Sequence, residues 1–288
     1  MKIKEILQKG FSLSFEVFPP ARDGNIDALF VAIEELQVLR PDFISVTYGA
    51  GGGNKEQTIA IAARIKQHCP CEALAHLTCV GSNSAAIASI IDALVAEGIE
   101  NILALRGDPP RGEASFQPLA GGFHFARELV AFIRSRGDFC VGVAGYPEKH
   151  PEASSIGADI AHLQQKVMAG ADFITTQMFF DNDVFWRFMD SVRKVGVSVP
   201  ILPGIFPVLN YKQVAKIDAL SQAKIPRVLL EKIMALRDKP EETEKYGIEF
   251  AVRQAEQLIS GKVDGIHFYT MNKSAAAIQI VRDIGLYR

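Results

Sequence analysis

The sequence predicts an α/β fold, closed as a single (β/α)8 TIM barrel with extra helices before the last strand. Three observations support this. Eight short apolar, β-branched runs alternate with amphipathic segments of helical period, each pair closed by Gly, Pro or Asn. The runs are apolar on both faces, as strands of a parallel sheet under crossover helices must be. At 288 residues the chain fits one such barrel, typically roughly 250 residues long, with room for an insertion.

In order, the run Ser12 to Phe18 precedes an amphipathic stretch from Ile26 to Leu39. Phe43 to Tyr48 leads into Glu56 to Gln67, Ala73 to Cys79 into Ala85 to Glu97, and Asn101 to Leu105 into Phe123 to Arg136. Phe139 to Ala144 is followed by Ile156 to Ala169, and Phe173 to Gln177 by Asp183 to Lys194. Ile201 to Ile205 is the seventh strand and Gly265 to Phe268 the eighth. Between these two, Tyr211 to Gly261 is longer than one crossover needs and holds Pro226, Pro240 and the run Glu241-Glu242-Thr243-Glu244-Lys245. It reads as inserted helices, with the acids at a solvated helix start. An open doubly wound sheet is the alternative, but its dinucleotide fingerprint is missing. Gly49-Ala50-Gly51-Gly52-Gly53-Asn54 fails at the third glycine, and there is no Walker GK[ST]. No second domain, repeat or low-complexity linker is discernible.

Composition excludes several classes of function. The chain is 48% hydrophobic and 22% charged, with a net charge of −2. Without Lys/Arg clusters it lacks the footprint for a nucleic-acid backbone, and it has no polybasic membrane patch. The start, MKIKEILQKG, has no signal-peptide core, and no later stretch approaches the roughly 20 apolar residues of a spanning helix. A cytoplasmic protein is expected. Cys69, Cys71, Cys79 and Cys140 lack the CxxC spacing of a zinc or redox site and read as reduced thiols.

In a (β/α)8 barrel the site forms at the carboxy-terminal strand ends. Each predicted end here carries a polar residue or glycine, among them Glu16, Thr47, Tyr48, His76, Arg106, Gly107, Asp108, Gln177, Gly204, His267 and Tyr269. Glu16 stands beside Phe15, Val17 and Phe18, a setting that desolvates a carboxyl, raises its pKa and suits a general acid. Pairing with an arginine is its structural alternative. Asp108 either opens a turn before Pro109 and Pro110, with Arg106 as ion-pair partner, or serves the site. His76 taken alone reads as a satisfied core histidine. The glycines after Tyr48 suit a turn or the close approach of a flat ring or phosphate. Gln177 needs hydrogen-bond partners that a ligand can supply. From the residues alone the chain is a barrel enzyme of open chemistry.

At these same residues the sequence resembles the methylenetetrahydrofolate reductase family, flavin-dependent enzymes of one-carbon metabolism and methionine synthesis. The phrases FEVFPP, SVTYGAGG, AHLTC, ALRGDPP, AGYPEKHPEA, DFITTQMFFD, ILPGIFPV and DGIHFYTMN occur in the family's order from about Phe11 to Arg288. The resemblance implies one FAD-binding catalytic domain over 1–288. Thr47, Tyr48, Ala50, His76, Arg106, Gly107 and Asp108 match positions that contact FAD, as do Tyr146, His150, Ala153, Asp159 and Lys166. Arg106 and Lys166 suit a pyrophosphate, and Asp159 the adenosine part. Glu16, Asp108 and Gln177 match the folate half-reaction, with Glu16 and Asp108 catalytic. Tyr211, Tyr269 and Lys273 are the further substrate-binding candidates.

The implied reaction is ping-pong. NADH or NADPH reduces the flavin and leaves, then methylenetetrahydrofolate takes its place and accepts hydride. Glu16 protonates N10 to open the folate to its iminium form, and Asp108 stabilises that cation. Two departures stand out. Lys273 follows FYT-x-N where bacterial relatives often have arginine, and Tyr211 stands where some have phenylalanine. The chain stops after its last helix, which implies no regulatory domain and no adenosylmethionine feedback. Bacterial relatives form homo-oligomers, so a homo-oligomer is implied. Rival classes fit less well. A metal-dependent hydrolase needs more ligands than His76 and Asp108, a Schiff-base aldolase needs a strand-end lysine where only the loop residue Lys149 is near, and a non-catalytic binding protein has little use for Glu16.

Overall fold

The computed structural model describes residues 1–20, 24–48, 55–109, 116–214, 217 and 223–286. Its strands are β1 (Ser12–Val17), β2 (Phe43–Val46), β3 (Glu72–Thr78), β4 (Asn101–Leu105), β5 (Cys140–Gly145), β6 (Phe173–Thr176), β7 (Ile201–Leu202), β8 (Gly204–Ile205) and β9 (Gly265–Tyr269). They form one sheet in the order β7-β6-β5-β4-β3-β2-β1-β9-β8, parallel throughout.

The two ends of that order are consecutive pieces of one strand, so the sheet closes into a barrel. The break falls at Pro203, which has no N–H to give to a ladder. Its carbonyl accepts from the His267 amide at 3.0 Å, and the Gly204 amide turns aside to Thr176 Oγ1 at 2.9 Å. The expected strand Ile201 to Ile205 is therefore two segments. The first pairs with β6 and the second with β9.

The helices are α1 (Ile3–Leu7), α2 (Ile26–Leu36), α3 (Lys55–His68), α4 (Ser84–Ala96), α5 (Ala126–Arg136), α6 (Ile156–Met168), α7 (Asn182–Lys194), α8 (Arg227–Ala235), α9 (Pro240–Ser260) and α10 (Ser274–Asp283). Side chains cap several of them. Asn25, Asn83, Ser155 and Asp181 accept from Asp27, Ala86, Ala158 and Asp183 amides at 2.9, 2.9, 3.1 and 2.9 Å. α5 starts later than the expected Phe123, because residues 123–125 form a capping turn. There the Glu128 carboxylate accepts from the His124 and Phe125 amides at 2.8 and 3.4 Å. α8 and α9 lie in the insert, where residues 211–214 are helical too, and α9 opens with Pro240, Glu241 and Glu242 in its first turn. Among the described residues no helix is long and apolar enough to cross a membrane.

Strand alternation divides the interior. On β1, Leu13, Phe15 and Val17 pack outward with Leu29, Ile33 and Leu36 of α2, while Ser12, Ser14 and Glu16 take the inner side. At the amino-terminal end of the barrel, Phe43, Leu74, Leu103, Cys140, Phe173 and Leu202 form an apolar floor, plugged by Ile3 and Leu7 of α1. The sequence reading did not include α1. Five residues with three apolar positions carry too little periodicity to stand out. The plug is fastened by Asn101, whose Oδ1 accepts from the Ile3 amide at 2.8 Å.

Candidate functional site at the barrel mouth

Above the floor the inward residues turn polar. Glu16 is 6% exposed, and its Oε2 lies 3.4 Å from Ser45 Oγ, 3.4 Å from His76 Nε2 and 3.6 Å from His267 Nε2. These four side chains come from β1, β2, β3 and β9, which are consecutive in the sheet. The neighbours expected to desolvate Glu16 do not do so. Phe15 and Val17 point away from it by strand parity, and its burial comes from the ring of serines and histidines inside the barrel.

His267 holds the cluster's hydrogen-bond order. Its Nδ1 lies 2.8 Å from Ser14 Oγ, and that hydroxyl also donates to the Ile266 carbonyl at 3.2 Å. Nδ1 is thereby tied to Ser14, and Nε2 is the ring nitrogen that faces Glu16. The ring is fixed against Phe43 at 6.0 Å and Tyr269 at 5.4 Å between centroids. His76 differs. Burial pushes its pKa down to about 4, against the pull of Glu16, so it is neutral near pH 7. Its Nε2 is off-line from Glu16 and makes no hydrogen bond, and Thr78 Oγ1 and Thr175 Oγ1 are likewise buried without a partner among the described residues. The arrangement does not converge as a metal site. No group of three or more His, Cys, Asp or Glu among the described residues is placed to hold an ion.

A second group stands on the rim. Arg106, just past β4, makes a two-pronged contact with Glu152, Nη1 to Oε2 at 2.7 Å and Nη2 to Oε1 at 2.5 Å. Gly107 beside it has φ +86°, and a Cβ there would sit 2.7 Å from Val80 Cγ1, so only glycine fits the close turn. After β5, residues 146–153 curl tightly. The Tyr146 and His150 rings meet edge to face at 4.7 Å, the His150 amide donates to Asp159 Oδ2 at 3.0 Å, and the Ala153 amide donates to the His150 carbonyl at 3.0 Å. Lys166 Nζ reaches in from α6 to the Ala144 carbonyl at 2.5 Å. Burial lowers its pKa to about 8.

The expected residues therefore separate into a lumen group and a rim group. Glu16, His76 and Tyr269 belong to the first, and the Tyr269 hydroxyl donates across the mouth to the Thr176 carbonyl at 2.7 Å. Arg106, Gly107, Asp108, Tyr146, His150, Ala153, Asp159 and Lys166 belong to the second, with Asp108 exposed. Thr47 and Tyr48 follow β2. Gln177 follows β6, where its Oε1 accepts from the Met178 amide at 2.9 Å and its amide nitrogen is left for other partners. Tyr211, 40% exposed, lies in the segment after β8, and Lys273, exposed at the start of α10, in the segment after β9. Ala50 and the glycine run 49–54 lie outside the described residues. Sequence reasoning named His267 as a strand-end residue without giving it a role, and passed over Ser14 and Glu152. Parity was the available signal for His267 and Ser14, since Gly265, His267 and Tyr269 share a face on β9 as Ser14 and Glu16 do on β1.

A closed parallel barrel with one buried carboxyl among histidines and serines in its lumen and a rim of mixed charge at the same end has the architecture of a (β/α)8 barrel with its candidate site at the mouth. The family model described as methylenetetrahydrofolate reductase matches residues 2–285, and the chain belongs to that family. It is 36% identical over 280 residues to the 5,10-methylenetetrahydrofolate reductase of Escherichia coli (strain K12), covering 97% of this chain and 93% of that one. It is 38% identical to "Methylenetetrahydrofolate reductase (NADH) 1" of Arabidopsis thaliana over 297 residues, 99% of this chain and 50% of the relative. The chain thus spans about half the length of the plant relatives it matches. Among solved structures, it is similar to an uncharacterised Clostridium thermocellum protein described as binding two copies of 5-methyl-5,6,7,8-tetrahydrofolic acid. The TM-score is 0.64 at 13% identity over 98% of this chain and 97% of that one, a likeness of fold.

Proposed function

We propose that this chain reduces 5,10-methylenetetrahydrofolate to 5-methyltetrahydrofolate, with FAD at the barrel mouth and NADH or NADPH as reductant, by a ping-pong sequence at one site. The observation that carries the reading is Glu16, a buried carboxyl ringed by His76, His267 and Ser45 in a chain of this family.

The mouth suits a flavin. The partnerless Thr78 and Thr175 hydroxyls, and the off-line His76 Nε2, ask for hydrogen bonds that a flat polar ring supplies. Arg106 and Lys166 are the cations for a diphosphate, with Glu152 holding the Arg106 fork as an anion until one arrives. Thr47, Tyr48, Ala50, Gly107 and Tyr146 complete the reading toward the ring, and His150, Ala153 and Asp159 toward the adenosine end. FAD, when bound, carries hydride between the pyridine nucleotide and the folate.

The remaining work falls to the chain's own side chains. Glu16 gives a proton to N10 of the folate, and His267 and Ser45 hold or return that proton. Such a placed acid is worth about 10²- to 10⁴-fold. Asp108 meets the cation that develops as the folate ring opens, Gln177 gives its free amide to the pterin edge, and Tyr269 walls the pocket. Tyr211 and Lys273, both exposed after the last two strand ends, take the tail of the folate, Lys273 as a point charge on a carboxylate. A cytoplasmic homo-oligomer belongs to the same reading.

Steady-state rates with both substrates varied test it. Production of 5-methyltetrahydrofolate with parallel double-reciprocal lines is expected. Intersecting lines, or pyridine nucleotide consumed without methylated product, would overturn it.

A further inference from the structure

Cys69 and Cys71 flank Pro70 between the end of α3 and the start of β3, at the amino-terminal end of the barrel and apart from both groups of the mouth. Both thiols are free and partly exposed, whereas Cys79 and Cys140 are buried. Cys69 faces a cavity of about 120 Å³ whose lining includes Phe30, Gln37, Arg64 and His68. Arg64 is held in place over the Phe30 ring, 3.9 Å from its centre. Gln37 Nε2 donates to Cys69 Sγ at 2.9 Å, and Cys71 stands two residues further along the chain, also partly exposed. A sulfur that accepts from an amide in a cavity shared with a guanidinium is placed to be held as a thiolate, and a second thiol two residues away is placed to resolve it.

We propose that Cys69 and Cys71 form an oxidant-responsive dithiol, in which Cys69 attacks small hydroperoxides and Cys71 closes an intramolecular disulfide. The neighbouring Cys71 thiol holds the Cys69 thiol below its ordinary range, helped by Arg64 and Gln37 and opposed by burial and Glu34. The same pairing, with burial, keeps Cys71 protonated.

In the first step the Cys69 thiolate attacks the distal oxygen of the hydroperoxide. The O–O bond breaks, the alkoxide or hydroxide leaves and takes a proton from water, and Cys69 becomes a sulfenic acid. Cys71 sulfur then attacks Cys69 sulfur. The S–S bond forms, the S–O bond breaks, and the Cys71 proton leaves with hydroxide as water. The dithiol loses two electrons and the hydroperoxide gains them. A disulfide across a single intervening residue closes a small, strained loop, which thiols readily reopen.

The test is titration of the full chain with hydrogen peroxide, read by intact mass and peptide mapping. Loss of two hydrogens confined to the peptide holding Cys69 and Cys71, reversed by dithiothreitol and absent at Cys79 and Cys140, is expected. In Cys71→Ser, dimedone should trap a sulfenic acid at Cys69, while Cys69→Ser should give no adduct at Cys71. Alkylation of Cys69 by iodoacetamide at pH 7 should run at least about tenfold faster in the folded chain than in urea. No mass loss at these positions in folded wild-type protein, or equal alkylation rates folded and unfolded, would overturn the proposal.

Discussion

The two ends of the barrel are made from the same strands and differ in what their inward side chains leave unmet. At the floor, Phe43, Leu74, Leu103, Phe173 and Leu202 pack on Ile3 and Leu7, and Asn101 finds three backbone partners. At the mouth, Glu16 shares one pocket with two histidines, and Thr78 and Thr175 hold hydroxyls with no partner among the described residues. The contrast teaches how one fold divides its labour. Apolar burial at one end stabilises the closed sheet, which lets the other end keep desolvated polar groups that cost stability and await a ligand.

The sharpest test of the division is Glu16→Gln, which removes a proton from the mouth while keeping shape. Reoxidation of reduced flavin by methylenetetrahydrofolate should slow about 10²- to 10⁴-fold in stopped flow, with flavin reduction by NADH unchanged. A matching loss in both half-reactions would place the damage in the pocket rather than in the acid. The converse change is Phe173→Ala at the floor. It should cost about 3–5 kcal/mol in urea unfolding and leave ligand affinity at the mouth within a fewfold. If affinity collapsed with stability, the two ends would not be separable.

Burial at the mouth has a pH signature of its own. The folded pKa of His76, about 4, lies below its ordinary value of 6.5, so between these pH values the unfolded chain binds the proton that the folded chain refuses. This part of the stability is complete above pH 6.5 and is lost as pH falls toward 4, about 3 kcal/mol in all. Chemical denaturation across that window should show the fall, and His76→Gln should flatten it. The smallest effect concerns Lys166, whose pKa is lowered to about 8 by burial. An anion prefers the ammonium, so FAD affinity should weaken as pH rises through 8, and Lys166→Met should remove that slope. Calorimetric titration at several pH values decides it.

Much of the barrel was readable because its period changes from strand to helix along the chain, and the eight expected runs fall on the sheet in order. The break at Pro203 was not, since an apolar run of five residues looks the same whether it serves one neighbour or two. The plug α1 was too short to show a period. Within the site, Glu16 was readable and the cause of its burial was not. The residues flanking it in sequence face the helices, and the groups that enclose it come from three other strands. His267 was visible only as one polar residue in an apolar strand, a pattern that core histidines share. The Arg106–Glu152 contact spans 46 positions and leaves no local trace.

The most direct measurement is the visible spectrum of the FAD-reconstituted protein under anaerobic conditions, taken alone, after NADH, and after methylenetetrahydrofolate. A bound flavin that bleaches with NADH and recolours with the folate is the predicted result. Protein that stays colourless with FAD, or a bleached flavin that the folate leaves reduced, would contradict a mouth built for both half-reactions.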